Sequence, residues 1–433
     1  MQTPHVPSSA IEASKPRPTR RMRAVAVALA LVYVVGWSAL SLVQPHPSDL
    51  DTFFLPAAFV ALHGRPLFIY SVSHQHGYPL ANGPLSIAPL VVALAVAAGL
   101  GWLRSVALNR FVVFAFSSVF SLLLAHEAVR AVDRLAPAPL RGARRLLVYE
   151  VFLISLPLWQ SVLYYGHVEQ PLMLWLALAG ARLLGEGKRG RAGVALGLAL
   201  LTRTTALTII IPLALLLLTQ RDWRGLRRFA GALGAVVLAG LLPFALADGP
   251  DLLYSLVTFH NSRGVYGGNL WTLLGGPLLT EVAQRGDGLI VLLATFTVAA
   301  LVLRARPDLR ATSRDVYALL ALCSLCHPAF INILWPYYFL EAFTFGAVWW
   351  LAGIGALAEG RREQMRWWLW GVLPLGITLL GQARQFALTQ QFATASNVSP
   401  EAVAWNVMTC LALVAVMVAL AARLWRPAPA LGQ

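Results

Sequence analysis

The reading of AVAVALALVYVVGWSALSLVQPHPSDLD, residues 24–51, decides the fold. The run Ala24–Val43 carries no charge, and about 20 mainly apolar residues make a helix long enough to cross a bilayer. Pro45 and Pro47 then break the pattern, and Asp49 and Asp51 follow at once. The chain has only 19 Asp and Glu in 433 residues. Two of them stand together where the first apolar run meets water.

The rest of the composition agrees with a membrane setting. The chain is 58% hydrophobic and 12% charged, against about 25% charged in soluble domains. It is read as an all-α polytopic membrane protein. Its three cysteines, Cys323, Cys326 and Cys410, are too few for a disulfide framework and suit small apolar helix positions.

The net charge of +15 raises the question of a nucleic-acid partner. The distribution argues against one. Basic residues come in bursts between apolar runs, at 17–23, 134–145, 187–191, 221–228, 304–310, 361–366 and 423–426. Cytoplasmic loops are enriched in Lys and Arg. With the inner segments taken as 1–23, 130–145, 182–191, 221–228, 304–314, 361–366 and 423–426, only Arg65, Arg104, Arg110, Arg203, Arg263, Arg285 and Arg384 of the 34 basic residues fall outside.

The walk along the chain follows from that rule. Residues 1–23 are Pro- and Ser-rich, basic, and expected to be disordered and cytoplasmic. No A-x-A-like site follows Ala24–Val43, so it is read as a retained span. Further spans are expected at 111–129, 146–164, 171–186, 192–202, 205–219, 229–247, 288–304, 315–330, 338–356, 367–384 and 402–422. About twelve spans put both ends, including the tail 427–433, in the cytoplasm. Residues 24–426 then form one domain with two large extracytoplasmic loops, 44–110 and 248–287. The apolar run Pro84–Leu103 breaks the alternation if it crosses. It is read as a hairpin or helix in the first loop, packed against protein. No internal repeat is present.

DLDTFFLPAAFVALHG (49–64) is amphipathic enough to lie along a membrane surface. That would hold Asp49 and Asp51 at headgroup depth. A carboxylate there can act as a general base on a hydroxyl. Alternatively both could bind a divalent cation, or simply be solvated.

These residues also carry a resemblance. Asp49-Leu50-x-x-Phe53, Ala57-Ala58, Leu62-His63-Gly64 and Tyr70 resemble the first-loop pattern of membrane glycosyltransferases of the GT-C fold, most of all family 87. YPLANGPL (78–85), GHVEQPLMLWLAL (166–178) and AGVALGLALLTRTTALTIIIPL (192–213) are similar to further segments of that family, in the same order, covering roughly residues 24–220. The resemblance implies a GT-C-type bundle. It also implies an inverting enzyme that moves a sugar, mannose or another hexose or pentose, from a polyprenyl phosphate to a lipid or glycan acceptor. Asp49 falls at the catalytic carboxylate. Asp51 is then a helper, a metal ligand or a neighbour. No cofactor is required, and a divalent cation is left open.

Arg203 interrupts the apolar stretch 192–219. An Arg in mid-membrane is costly, so one span is ended at Leu201 and the next begun after Thr204. Its planar fork suits a donor phosphate, where the family has Lys. Snorkelling to headgroups is the plainer alternative. Glu169 and His167 lie in the outer turn GHVEQP, Glu169 as a further catalytic or metal-binding carboxylate and His167 as acid, base or ligand. His260, Arg263 and Asn269 in HNSRGVYGGNLW (260–271), with Tyr338 of WPYY (335–338), are candidate substrate contacts. His327 is a weaker one. HQH (74–76) lacks a third metal ligand. Glu127 and Glu150 are expected to pair with Arg130, Arg144 and Arg145, and Glu341 could face the site.

Two rivals remain. A multi-span transporter or flippase predicts paired halves and polar residues in mid-span. A non-catalytic subunit of an envelope-assembly complex predicts that Asp49 can be replaced without loss.

Overall fold

Apolar runs that leave no water for their backbone groups must satisfy them internally, and helices do so. The computed structural model describes residues 20–43, 49–75, 77, 79–136, 140, 143–259, 270–271, 277–332, 336–355 and 400–425. Among them the structure is helical and contains no strand.

The helices are α1 (Arg20–Val43), α2 (Leu55–Leu62), α3 (Ile69–Gln75), α4 (Ala88–Gly99) and α5 (Val106–Leu135). They continue with α6 (Ala143–Leu153), α7 (Leu156–Trp159), α8 (Gln170–Gly185), α9 (Arg189–Thr202), α10 (Leu207–Thr219) and α11 (Trp223–Leu253). The last are α12 (Pro277–Ala305), α13 (Asp315–Ser324), α14 (Cys326–Phe330), α15 (Phe339–Gly355) and α16 (Pro400–Trp425). Wider π turns occupy Leu50–Phe54, Gln160–Tyr164 and Tyr254–Thr258.

Three of the described helices are long and apolar enough to cross a membrane: Val106–Leu135, Trp223–Thr258 and Leu278–Ala305. The bent pair Arg145–Leu153 and Leu156–Tyr164, turned by 43°, adds a fourth. Helices α1 and α16 cover the expected spans 24–43 and 402–422 in full, and the other expected spans within the described residues are shorter apolar helices or broken ones. Arg203, in extended backbone at φ −153° and ψ 132°, separates α9 from α10. Pro84–Leu103 contains a 12-residue helix, α4, which packs on α5 and α2. The expected span at 367–384 and both chain tails lie outside the described residues.

Helix α5 is the central post. Ser105 caps its start, accepting from the Leu108 amide, and the helix ends at Leu135, two residues before Pro137. Val113, Ser117, Ser121, Leu124, Ala128 and Val132 recur every three or four positions and are buried, forming one continuous face. Helices α1, α4, α6 and α8 pack around it. At one end of the bundle, buried Glu127 of α5 accepts from Arg182 of α8, while Arg134 donates to the Arg182 and Gly185 carbonyls. Glu127 also pairs with Arg130, as expected from the sequence, but Arg145 turns to Asp133 instead.

Helix α9 meets α11 in close backbone contact. Gly193 lies against the Phe229 carbonyl, and Gly197 against Val236; small residues four apart let two helices approach this closely. Helix α11 contains Pro243 and Pro250 and kinks at Asp248 (φ −155°, ψ 45°). The kinked end clamps α3. Asp248 accepts from the Ser71 amide at 2.7 Å, Asp251 meets His74 at 2.5 Å, and Tyr254 stacks on the His74 ring at 4.2 Å. His74 therefore has a carboxylate partner, while His76 lies outside the described residues.

Candidate functional site

The site forms where four chain breaks converge. The first is the π turn Leu50–Phe54, with Asp49 as its leading residue. The second is the turn Gly166–Glu169, which enters α8. Gly166 has φ +76°, a left-handed conformation that glycine adopts without cost, and it swings His167 and Glu169 back toward the bundle. The third is the break at Arg203, and the fourth is the short 3-10 turn Pro336–Tyr338. Two further contacts seat the first region beside Arg203. Gly83 presses on the Leu201 carbonyl, where a Cβ would collide with backbone. The buried Tyr70 hydroxyl donates to the Asn82 carbonyl at 3.0 Å.

At the centre is His167. Its Nε2 stands 3.0 Å from Asp49 Oδ2 and its Nδ1 2.9 Å from Glu169 Oε1. Arg203 Nη1 donates to the same Glu169 oxygen at 2.8 Å. A carboxylate only accepts, so a ring nitrogen facing one has to carry hydrogen. With a carboxylate at each nitrogen, His167 is an imidazolium. Its 3.2 Å approach to Arg203 Nη1 is then two donors converging on one oxygen.

The four groups cancel in charge, with two carboxylates against two cations. This is the condition under which such groups tolerate burial. Side-chain exposure falls from 22% at Asp49 to 7% at His167, 6% at Arg203 and none at Glu169. Burial works against the His167 proton. The Glu169 charge and the hydrogen bonds to Asp49 and Glu169 outweigh it, and the pKa ends above its ordinary 6.5. Burial likewise opposes ionised Glu169, but His167 and Arg203 prevail and hold its pKa below 4.5.

Aromatic rings wall the cluster. The imidazole meets Phe54 edge-on at 5.4 Å and Tyr337 at 4.2 Å. The Arg203 guanidinium lies 5.6 Å and 5.8 Å from the Tyr337 and Tyr338 ring centres. Tyr338 also packs edge-on against His327. Buried Glu341 on α15 accepts from Thr205. Arg203 Nε, Glu169 Oε2 and Glu341 Oε2 are buried with no partner among the described residues.

Asp51 goes elsewhere. Positions two apart on a helical turn do not share a face, and Asp51 accepts from Arg110 of α5 at 2.8 Å. Burial raises its pKa above the ordinary 3.8. The two carboxylates have different partners, so this arrangement does not present them jointly to one cation. The sequence-derived candidates Asp49, His167, Glu169, Arg203 and Tyr338 are thus brought together, and Asp51 is not among them. His260, Arg263 and Asn269 lie outside the described residues. Tyr337, Thr205 and Phe54 were missed as site walls. The neighbours Tyr338, Arg203 and Asp49 are the only sequence signal that pointed near them.

No protein-family model matches the chain, and neither does any curated protein or solved structure.

Proposed function

We propose that the chain is an inverting, polyprenyl-phosphate-sugar-dependent glycosyltransferase of GT-C type. In this reading it lies in the plasma membrane with about twelve spans, both termini in the cytoplasm and the Asp49 site on the extracytoplasmic face. The acceptor is a lipid or glycan hydroxyl. One observation supports it most: Asp49, His167, Glu169 and Arg203 come from three distant segments, yet they form one hydrogen-bonded chain whose most exposed member is Asp49.

The roles follow from the chemistry. Asp49 takes the proton of the acceptor hydroxyl as that oxygen bonds to the anomeric carbon. The bond from that carbon to the phosphate oxygen breaks, and its electron pair leaves with the lipid phosphate. Attack opposite the leaving group inverts the centre. The Arg203 guanidinium, buried beside Glu169, stabilises the negative charge of the departing phosphate. Tyr337 and Tyr338 offer ring faces to the sugar. This transfer balances without a metal, and a divalent cation would be compatible with it.

The test is transfer of labelled sugar from polyprenyl-phosphate donors to a membrane lipid extract by purified protein, wild type beside Asp49→Asn. Transfer by wild type alone supports the class and the base together. Full activity in Asp49→Asn removes the base assignment. A second reading draws on the same buried chain. Intramembrane ionisable residues in series also serve proton-coupled transport, and that reading gains if no donor is used and the protein in vesicles moves protons with a solute.

A further inference from the structure

Helix α11 opens with charge and goes on without it. Asp222 caps its start, accepting from the Gly225 amide at 2.8 Å with one oxygen and from Arg189 at 3.1 Å with the other. Residues 229–247 then carry no charge. At 1.5 Å per residue they rise about 28 Å, close to the hydrocarbon thickness of a bilayer. The start of α11 therefore stands at headgroup depth. Trp223, 56% exposed, lies there too, where indole rings collect.

Arg224, Arg227 and Arg228 are spaced to share one helix face, and all three are exposed. Among the described residues no carboxylate forms an ion pair with any of them, and Asp222 is already spent on Arg189 and its cap. The same face continues through Gly231 and Ala235 to Leu238, which is 62% exposed. A Cβ on Gly231 or Gly234 would meet nothing within 4 Å. The arginines thus stand over a notch one side chain deep, bounded by Leu238. Phe229 and Val236, on the opposite side of α11, make the contacts with α9.

Charge decides what fills the notch. Small residues let a second helix approach. A second copy in the same bilayer, however, would bring its own three arginines to the same depth, and like charges so placed repel. A phospholipid with an anionic headgroup meets both parts of the face. Guanidinium groups pair well with phosphate oxygens, and an acyl chain fills the space that the glycines leave open.

We propose that this face of α11 is a binding site for an anionic phospholipid, its phosphate held by Arg224, Arg227 and Arg228 and one acyl chain lying over Gly231 and Gly234. The inference rests on α11 crossing a bilayer and not on sugar transfer by the Asp49 cluster.

The test is stepwise lipid binding to the full-length, detergent-solubilised protein, read by native mass spectrometry. The probes are dioleoylphosphatidylglycerol and dioleoylphosphatidylcholine. The first phosphatidylglycerol is expected to bind about tenfold tighter than phosphatidylcholine, since each arginine near an anionic headgroup adds severalfold. Replacing all three, by Arg224→Gln, Arg227→Gln and Arg228→Gln, should remove that preference. Gly231→Leu fills the notch at an exposed position and should weaken phosphatidylglycerol binding at least threefold with the arginines intact. If the triple variant does not fold, Gly231→Leu carries the test alone. Glycerol 3-phosphate, a headgroup without chains, should not displace the lipid. Equal binding of the two lipids, a preference that survives the triple substitution, or unchanged binding in Gly231→Leu overturns the proposal. Displacement by glycerol 3-phosphate, or a dimer that Gly231→Leu dissociates, overturns it as well, the last giving the face to a second copy.

Discussion

Arg203 donates to Glu169 over 2.8 Å, with both side chains almost wholly withdrawn from solvent. Removing one partner of a buried pair strands the other, at a cost of about 3–5 kcal/mol. Glu169→Gln and Arg203→Gln are each expected to lower the thermal unfolding temperature of the solubilised protein sharply. The double variant should recover most of the loss, because no charge is left unmatched. A double variant as unstable as the sum of the singles would mean that the pair is not coupled.

The His167 imidazolium gives the stability a pH dependence. Its folded-state pKa lies above the ordinary 6.5. Its contribution is therefore complete below the unfolded value and is lost as pH rises through the folded value. Glu169, with a lowered pKa, contributes fully above 4.5 and loses that contribution in acid. The stability gap between wild type and His167→Gln should be widest between these limits and close on the alkaline side. Thermal unfolding across pH 5 to pH 10 measures it; a gap that widens with alkali would contradict the protonated ring.

Asp51→Asn separates the two carboxylates by function. Asp51 is bound to Arg110 and not to the His167 chain. The variant should reduce sugar transfer less than tenfold, whereas Asp49→Asn should reduce it by about 10²–10⁴, the usual worth of a general base. Equal losses would place both in the reaction.

Gly166→Ala places a side chain at φ +76°, at a cost of roughly 1–2 kcal/mol. Because the turn orients His167 and Glu169, activity should fall more than stability. Comparing initial transfer rates with unfolding temperatures distinguishes this from general destabilisation.

Much of this arrangement was legible in the chain. Arg203 betrayed the break between α9 and α10 because a charge amid apolar residues has to find an end or a partner. Asp49 stood out because acidic residues are scarce. The helical reading of Pro84–Leu103 came from its length and polarity. Other features were hidden because they depend on which face a side chain takes. Asp49 and Asp51 look equivalent in sequence, and only the turn Leu50–Phe54 sends them apart. Arg110 looked like one of several isolated basic residues until α5 brought it under Asp51. The span expected at 338–356 is filled almost end to end by α15, whereas the one expected at 315–330 is interrupted at Leu325 into α13 and α14, since periodicity marks apolar runs but not where they break.

The Glu169–Arg203 pair also bears on how the chain is made. Glu169 precedes Arg203 by 34 residues, so the ribosome delivers the counter-charge first. A lone Arg entering the bilayer costs about 2.5–3.5 kcal/mol at a helix centre on insertion scales. When Arg203 emerges, α8 and the turn that carries Glu169 are already available to receive it. Reversing that order, by exchanging Glu169 and Arg203, keeps the pair but presents the arginine to lipid before its partner exists. The order of synthesis thus becomes part of the solution to burying the charge.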